Sequence, residues 1–396
     1  MRGTLLCAAL VLFTASASGD QLDRAARYVE DAVKQGQYAG AVTLVARHGH
    51  VLQQQAFGYR DVARSDPMRV DAIFQIYSMT KPIASVAALQ LLEQGRLTLD
   101  DPVSRFLPEF ARMQVGSRPA ARPITIRHLF THTAGFAAGE KLSGAAVERL
   151  NDARLYESPS LKAYVAGLAA LPLANDPGTR FSYDGVNTEV LSRVVEVVSG
   201  VRFDEFVSKR VLAPLRMVDT GFSVPPGKRA RIVEMTSTDE TGRLVAASGG
   251  PNVLGEMLKR YPSGAGGLYS TAGDYLRFCQ MLLNKGELDG ARILERKTVE
   301  LMMSNQLTLS PPVTEYSDGE GFGLGGYVVL DPVRRGQLGS VGQFGWSGAA
   351  ATWFTIDPRE DLIVILMMQH LPRRLPHDPP RLGRPFMDLV YQSLVN

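Results

Sequence analysis

Apolar residues recur at helical spacing from Gln21 to Lys34, with Leu22, Ala25, Ala26, Val29, Ala32 and Val33 on one face. Two strand-like runs follow, Ala41 to Arg47 and Val51 to Tyr59, and His48-Gly49-His50 between them reads as a hairpin turn. From Ser78 to about Ser199 the pattern is mainly helical, broken by loops rich in Gly and Pro. It contains an apolar run from Pro82 to Leu92, with Gly95 where a C-terminal cap is expected, and another from Val190 to Val198. Near the C-terminus Phe322 to Leu330, Ala350 to Asp357 and Leu362 to Gln369 predict strands, and Arg384 to Leu394 a closing helix. The pattern predicts an α/β plus all-α architecture: one antiparallel sheet built from the N- and C-terminal segments, flanked by helices, with an inserted helical lobe. The α/β lobe would take residues 20–77 and 262–396, and the helical lobe residues 78–261. A cleft between them is the natural place for a site. Ser310 to Gly321, rich in Pro, Ser and Gly, predicts a mobile loop at its entrance.

The chain opens differently. Met1-Arg2-Gly3 supplies one positive charge, Thr4 to Thr14 a short apolar run, and Ala15-Ser16-Ala17 a small-residue end. This is the grammar of a secretory signal over residues 1–17, with cleavage expected after Ala17 and residues 18–396 as the mature domain. The run is too short for a stable membrane anchor, so a periplasmic or secreted protein is expected. Loss of Cys7 with the signal would leave Cys279 alone, without an intramolecular disulfide. Stability must then come from core burial, for which roughly 380 residues are ample. With 43 basic and 40 acidic residues the net charge is +3, which gives no reason to expect nucleic acid as a partner.

Chemistry enters at Ser78-Met79-Thr80-Lys81, a hydroxyl and an amine three residues apart at a predicted helix start. Residues i and i+3 share a helix face, so the Lys81 amine can reach the Ser78 oxygen. The dipole of that helix favours charge developing on the same oxygen. Taken alone, the pair reads more readily as a capping serine and a solvated lysine, and the other motifs overturn that reading. A lysine acts as base only as the free amine, so burial, a nearby cation or a relay group must assist. Tyr183 follows the turn-forming Asn175 to Arg180 and enters a helix, a position open either to an active-site role or to a half-buried tyrosine.

Four blocks occur in order: Ser78-Met79-Thr80-Lys81, Ile126 to Phe136 (IRHLFTHTAGF), Pro177 to Tyr183 (PGTRFSY) and Gly266 to Thr271 (GGLYST). Together, from about residue 22 to 394, they resemble the serine beta-lactamase and penicillin-binding-protein-like superfamily, in its class C and family VIII esterase branch. The resemblance implies a beta-lactamase/transpeptidase-like fold, with Ser78 as nucleophile, Lys81 as its base and Tyr183 as proton shuttle. It also implies a third element on a strand facing the serine, usually Lys-Thr-Gly. Here Gly345-Trp346-Ser347-Gly348-Ala349 stands instead, resembling the Trp-x-Gly form of family VIII esterases. Backbone N–H groups of Ser78 and Ala349 would hold the oxyanion, with Trp346 and Gly348 lining the substrate. A lysine would attract a carboxylate, whereas Trp346 offers an apolar wall and one N–H donor, unless it only packs on the sheet. Losing such a charge-assisted contact removes about 1.5–3 kcal/mol and favours neutral esters. Class C enzymes also show Tyr-x-Asn, but Tyr183-Asp184-Gly185 has glycine there, and Asn187 is the candidate substitute.

These residues imply a serine hydrolase acting on a small-molecule ester or amide through an acyl-enzyme, without a cofactor. The alternatives are a beta-lactamase or D-alanyl-D-alanine carboxypeptidase-like enzyme, an acyltransferase, and a penicillin sensor that does not turn over. Six histidines show no His-Glu-x-x-His, so no metal is expected and structural roles are assigned to all six. Gly-x-Ser-x-Gly is absent too, which argues against an α/β-hydrolase elbow.

Overall fold

The computed structural model describes residues 12–139, 142–247 and 260–394. Most of the predicted export signal, residues 1–11, lies outside them, and its end belongs to a helix that begins at Leu12. The helices used below are α1 (Leu12–Lys34), α2 (Thr80–Glu93), α3 (Ile126–Phe130), α4 (Leu161–Ala169), α5 (Val186–Ser199), α6 (Ala272–Leu283) and α7 (Gly383–Gln392). Among the described residues no helix is long and apolar enough to cross a membrane.

Both ends of the chain build one sheet. Strands β1 (Gly40–Arg47) and β2 (His50–Gly58) precede the helical segments; β3 (Glu320–Phe322), β4 (Tyr327–Val329), β5 (Phe344–Ser347), β6 (Trp353–Asp357) and β7 (Leu362–Met367) follow them. The seven strands run in the order β3-β4-β5-β6-β7-β1-β2, each antiparallel to its neighbour. The pairing of β1 with β7, from Val42 opposite Met367 to Arg47 opposite Leu362, is what joins the two ends. The β1–β2 turn has φ 52° at His48 and 74° at Gly49, the left-handed pair that suits strand twist in a two-residue hairpin.

Side-chain alternation divides the core. Val42, Leu44 and Ala46 of β1, with Ile363, Ile365 and Met367 of β7, enter the main core with α2, α5 and α6. Ala41 and Val45, with Leu362, Val364 and Leu366, meet Ala25 and Val29 of α1 and Phe386, Met387 and Val390 of α7. Both faces are covered, so these strands read as nearly continuous apolar runs.

The segment expected to be a single strand from Phe322 to Leu330 is two, β3 and β4, turned by Gly323 to Gly326. Gly325 has φ 104°, and a Cβ there would lie 2.3 Å from Ser85 Oγ on α2. Strand β5 was not legible because Gly345 interrupts it. A Cβ at Gly345 would meet the Phe354 carbonyl at 2.4 Å, so the glycine permits close approach of β6.

Helix α2 is buried from Thr80 to Leu91 and packs on α5. It stops at Gly95 as expected, with φ 68°, where Gly95 N–H bonds the Leu92 carbonyl at 2.9 Å and Arg96 N–H the Leu91 carbonyl at 3.0 Å. Residues 232–247, counted above with the helical lobe, bond by backbone to residues 73, 369 and 371 on the sheet side.

Candidate active site

The serine is presented by a constrained turn. Phe74–Gln75 pairs with Tyr269–Ser270, so the chain arrives extended. Tyr77 then takes φ 44°, a conformation that costs an L-residue about 1–2 kcal/mol. One tight turn, Tyr77–Met79, leads into α2. Three hydrogen bonds fix it: Thr352 Oγ1 to the Ile76 carbonyl at 3.3 Å, Tyr275 Oη to the Met79 carbonyl at 2.9 Å, and Leu268 N–H to Thr80 Oγ1 at 3.2 Å. Ser78 is thereby half-buried at the N-terminal end of α2.

Lys81 is only 2% exposed. Its Nζ lies 3.1 Å from Ser78 Oγ and 2.8 Å from the Ala265 carbonyl. Nζ donates to the Ala265 carbonyl and stands within hydrogen-bond reach of the serine hydroxyl. Tyr183 closes the group from the loop before α5, its ring centroid 5.0 Å from Lys81 Nζ.

Trp346 on β5 occupies the position opposite. Its Nε1 donates to Tyr183 Oη at 2.9 Å, and the two rings lie 4.7 Å apart. The N–H expected to face substrate is therefore given to the phenol. A donor on a side chain only 7% exposed needs a protein partner, and Tyr183 is that partner. Phe322 at 5.1 Å and Tyr316 at 6.4 Å complete an aromatic wall, the latter from the loop predicted at the entrance.

Gly348 follows at the end of β5, its N–H bonded to the Thr352 carbonyl at 2.8 Å. A Cβ here would lie 2.5 Å from the Ile76 carbonyl oxygen, so the hairpin touches the backbone that carries the serine. Ala349 comes next, exposed in the turn between β5 and β6. Asn187 is placed otherwise. Its Nδ2 donates to both Asp184 oxygens, at 2.9 and 2.8 Å, and its backbone N–H to Oδ1 at 2.9 Å. The amide proposed to meet substrate is committed to the start of α5.

Two residues assigned no chemistry from the sequence stand beside this group. His132, 2% exposed with φ 53°, packs 4.7 Å from the Tyr183 ring, and its Nδ1 accepts from Asp184 N–H at 3.4 Å. Burial lowers its pKa, which keeps the ring neutral. Glu189 on α5 is fully buried and accepts a hydrogen bond from Ser263 Oγ. Burial pushes its carboxyl up to about 8, against the opposing pull of Ser263, Lys81 and the amides of Gly264 and Ala265. His132 lies inside the quoted IRHLFTHTAGF block, which was its one sequence signal; Glu189 had none. By contrast His128 caps α3, exchanging hydrogen bonds with Thr125. Among the described residues no three His, Cys, Asp or Glu side chains gather as metal ligands would.

The profile of the family described as Beta-lactamase matches residues 25–383. Protein Rv1367c of Mycobacterium tuberculosis is 37% identical over 85% of this chain and 87% of its own length. Esterase EstB of Burkholderia gladioli is 31% identical over 85% of this chain and 88% of its own. Among solved structures, EstCE1, a hydrolase with promiscuous acyltransferase activity, superposes with a TM-score of 0.79 at 25% identity, covering 95% of this chain and 99% of its own.

Proposed function

This chain belongs to the Beta-lactamase family, and on that premise we propose that it cleaves carboxylic esters through an acyl-enzyme on Ser78. The observation that carries the proposal is the buried Lys81 amine 3.1 Å from Ser78 Oγ. Lys81 takes the serine proton as the oxygen attacks the ester carbonyl. The N–H groups of Ser78 and Ala349 receive the oxyanion, and Tyr183, held by Trp346, passes a proton to the leaving alcohol. Water then releases the acid. The aromatic wall at Trp346, standing where a lysine would attract a carboxylate, supports neutral esters over beta-lactams or peptide C-termini. The likeness to EstB supports the same choice. Export to the periplasm or beyond is part of the proposal and rests on residues 1–17.

The test is turnover of p-nitrophenyl acetate and butyrate beside nitrocefin, with Ser78→Ala as control. Ester turnover with inert nitrocefin, and loss of fluorophosphonate labelling in Ser78→Ala, are expected. Nitrocefin turnover without ester turnover rejects the substrate class, and full labelling of Ser78→Ala rejects the nucleophile. Acyl transfer to an alcohol is a second reading, favoured by the likeness to EstCE1 and read out as a transesterified product when an alcohol competes with water.

A further inference from the structure

The loop that carries Tyr183 is tied at three points to one buried histidine. The His132 carbonyl accepts the Ser182 N–H at 2.9 Å and its Nδ1 the Asp184 N–H at 3.4 Å, so both chain neighbours of the phenol are bonded to the same residue. Between those bonds the imidazole lies against the Tyr183 ring, with centroids 4.7 Å apart. Accepting from a backbone N–H requires an unprotonated Nδ1, which puts the ring proton on Nε2. The Asp184 carboxylate does not compete for that nitrogen: its oxygens take the N–H groups of Asn187, and Oδ1 stands 3.9 Å from Nδ1, beyond hydrogen-bond reach. Phe322 at 5.3 Å and Phe181 at 6.2 Å meet the imidazole edge-on and hold it in place.

His132 is itself fixed. Its φ of 53° is unfavourable for an L-residue, and such a conformation persists only where the surroundings impose it. Here the end of α3 does so: Thr131 Oγ1 donates to the Arg127 carbonyl at 2.8 Å and meets Thr133 Oγ1 at 2.9 Å, and the Thr133 N–H bonds the His128 carbonyl at 2.9 Å. Helix α3 packs on α5, and α5 on the serine's helix α2, so the phenol's loop is held to the same framework as Ser78. A proton relay works only with its oxygen within hydrogen-bond reach of the leaving group, and Trp346 holds Tyr183 at that oxygen alone. We propose that His132 is a positioning residue for ester cleavage: through its carbonyl and Nδ1 it clamps the backbone on either side of Tyr183 and aims the phenol at the leaving alcohol. This rests on the Ser78 mechanism above and adds what holds its acid in place.

The readout is leaving-group dependence. Nitrophenolate departs readily without a proton, whereas an alkoxide must be protonated as it leaves, so kcat/KM for ethyl butyrate depends on Tyr183 more than kcat/KM for p-nitrophenyl butyrate does. The ratio of the two is measured in the full-length protein, in H132F and H132N, and in H132F combined with Y183F. A loss of folded protein lowers both rates alike and leaves the ratio unmoved. H132F keeps a ring but no acceptor, and its ratio falls by about tenfold or more. H132N, whose Oδ1 accepts in place of Nδ1 and whose backbone tolerates a positive φ, returns the ratio to within about threefold of wild type. In the Y183F background H132F changes the ratio no further. H132L, closer to histidine in volume, takes its place if H132F does not fold. An unchanged ratio, a loss that H132N does not restore, or the same fall in the Y183F background overturns the clamp and leaves the Ser78 mechanism standing. Wild type that cleaves neither ester overturns both.

Discussion

Replacing Trp346 by phenylalanine isolates one hydrogen bond, from Nε1 to Tyr183 Oη at 2.9 Å. The phenyl ring still packs on Tyr183 and Phe322, so the aromatic wall largely survives. Between neutral partners such a bond is worth about 0.5–1.5 kcal/mol, and to a charged partner about 1.5–3 kcal/mol. The difference, about 1–2 kcal/mol, arises only when Tyr183 carries negative charge while relaying the proton, and so belongs to the transition state. It corresponds to a fall of about 5- to 30-fold in kcat for p-nitrophenyl butyrate with KM little changed. The assay is a double-mutant cycle with Tyr183→Phe. If Trp346 acts through the phenol, W346F costs nothing further once that oxygen is gone. A rise in KM at constant kcat, or the same loss in both backgrounds, would show instead that Trp346 touches substrate directly, and would refute the reasoning.

Gly348→Ala sets a Cβ 2.2 Å from Thr352 Oγ1 and 2.5 Å from the Ile76 carbonyl oxygen, and the second cannot yield without moving the serine's turn. A displacement near 1 Å costs about 100-fold in kcat/KM; a change under threefold contradicts the close approach. Arg335→Met strips the guanidinium from Glu320, to which it bonds at 2.6 Å with both side chains at 3% exposure or less. An unpaired buried carboxylate costs about 3–5 kcal/mol, at the low end here because Arg384 stands 3.7 Å away; urea unfolding that shifts by under 1 kcal/mol rejects this. Burial lowers His370 from 6.5 to about 4, so the folded state binds this proton less well than the unfolded chain. The stability it contributes is complete above pH 6.5 and lost as pH falls toward 4, and H370Q should flatten that slope in unfolding titrations.

The parts legible in the sequence are those fixed by short-range pattern. Strands β1 and β7 announce themselves as apolar runs because both faces are covered, and Gly95 marks the end of α2 because the left-handed cap wants it. The Ser78–Lys81 contact needs only one helical turn. What was hidden depends on distant segments. Strand β5 was masked by Gly345, whose role is to let β6 approach. Glu189 reads as one more polar position on an amphipathic helix until the 263–265 loop brings Ser263 to it and Ala265 to Lys81. Likewise nothing in the spacing of Trp346 and Tyr183, 163 residues apart, foretells that one indole N–H serves the other's oxygen.

The two departures from the class C pattern act in one direction. A lysine facing the serine could serve two ends, drawing in a carboxylate and stabilising charge on the tyrosine oxygen. Trp346 can serve only the second: its N–H supplies a dipole to Tyr183 while its ring adds no net charge for a substrate to meet. At Gly185 the missing amide is not restored from Asn187, because Asp184 takes both of its hydrogens. A substrate amide or carboxylate would therefore enter among rings with its polar groups poorly matched, and such unpaired groups cost about 1–3 kcal/mol each. An ester with an apolar acyl chain brings neither. In the mechanism proposed above Tyr183 keeps its place on the proton path, while Trp346 and Asp184 withhold the groups that would meet beta-lactam-like polarity, and this supports the proposed preference for neutral esters.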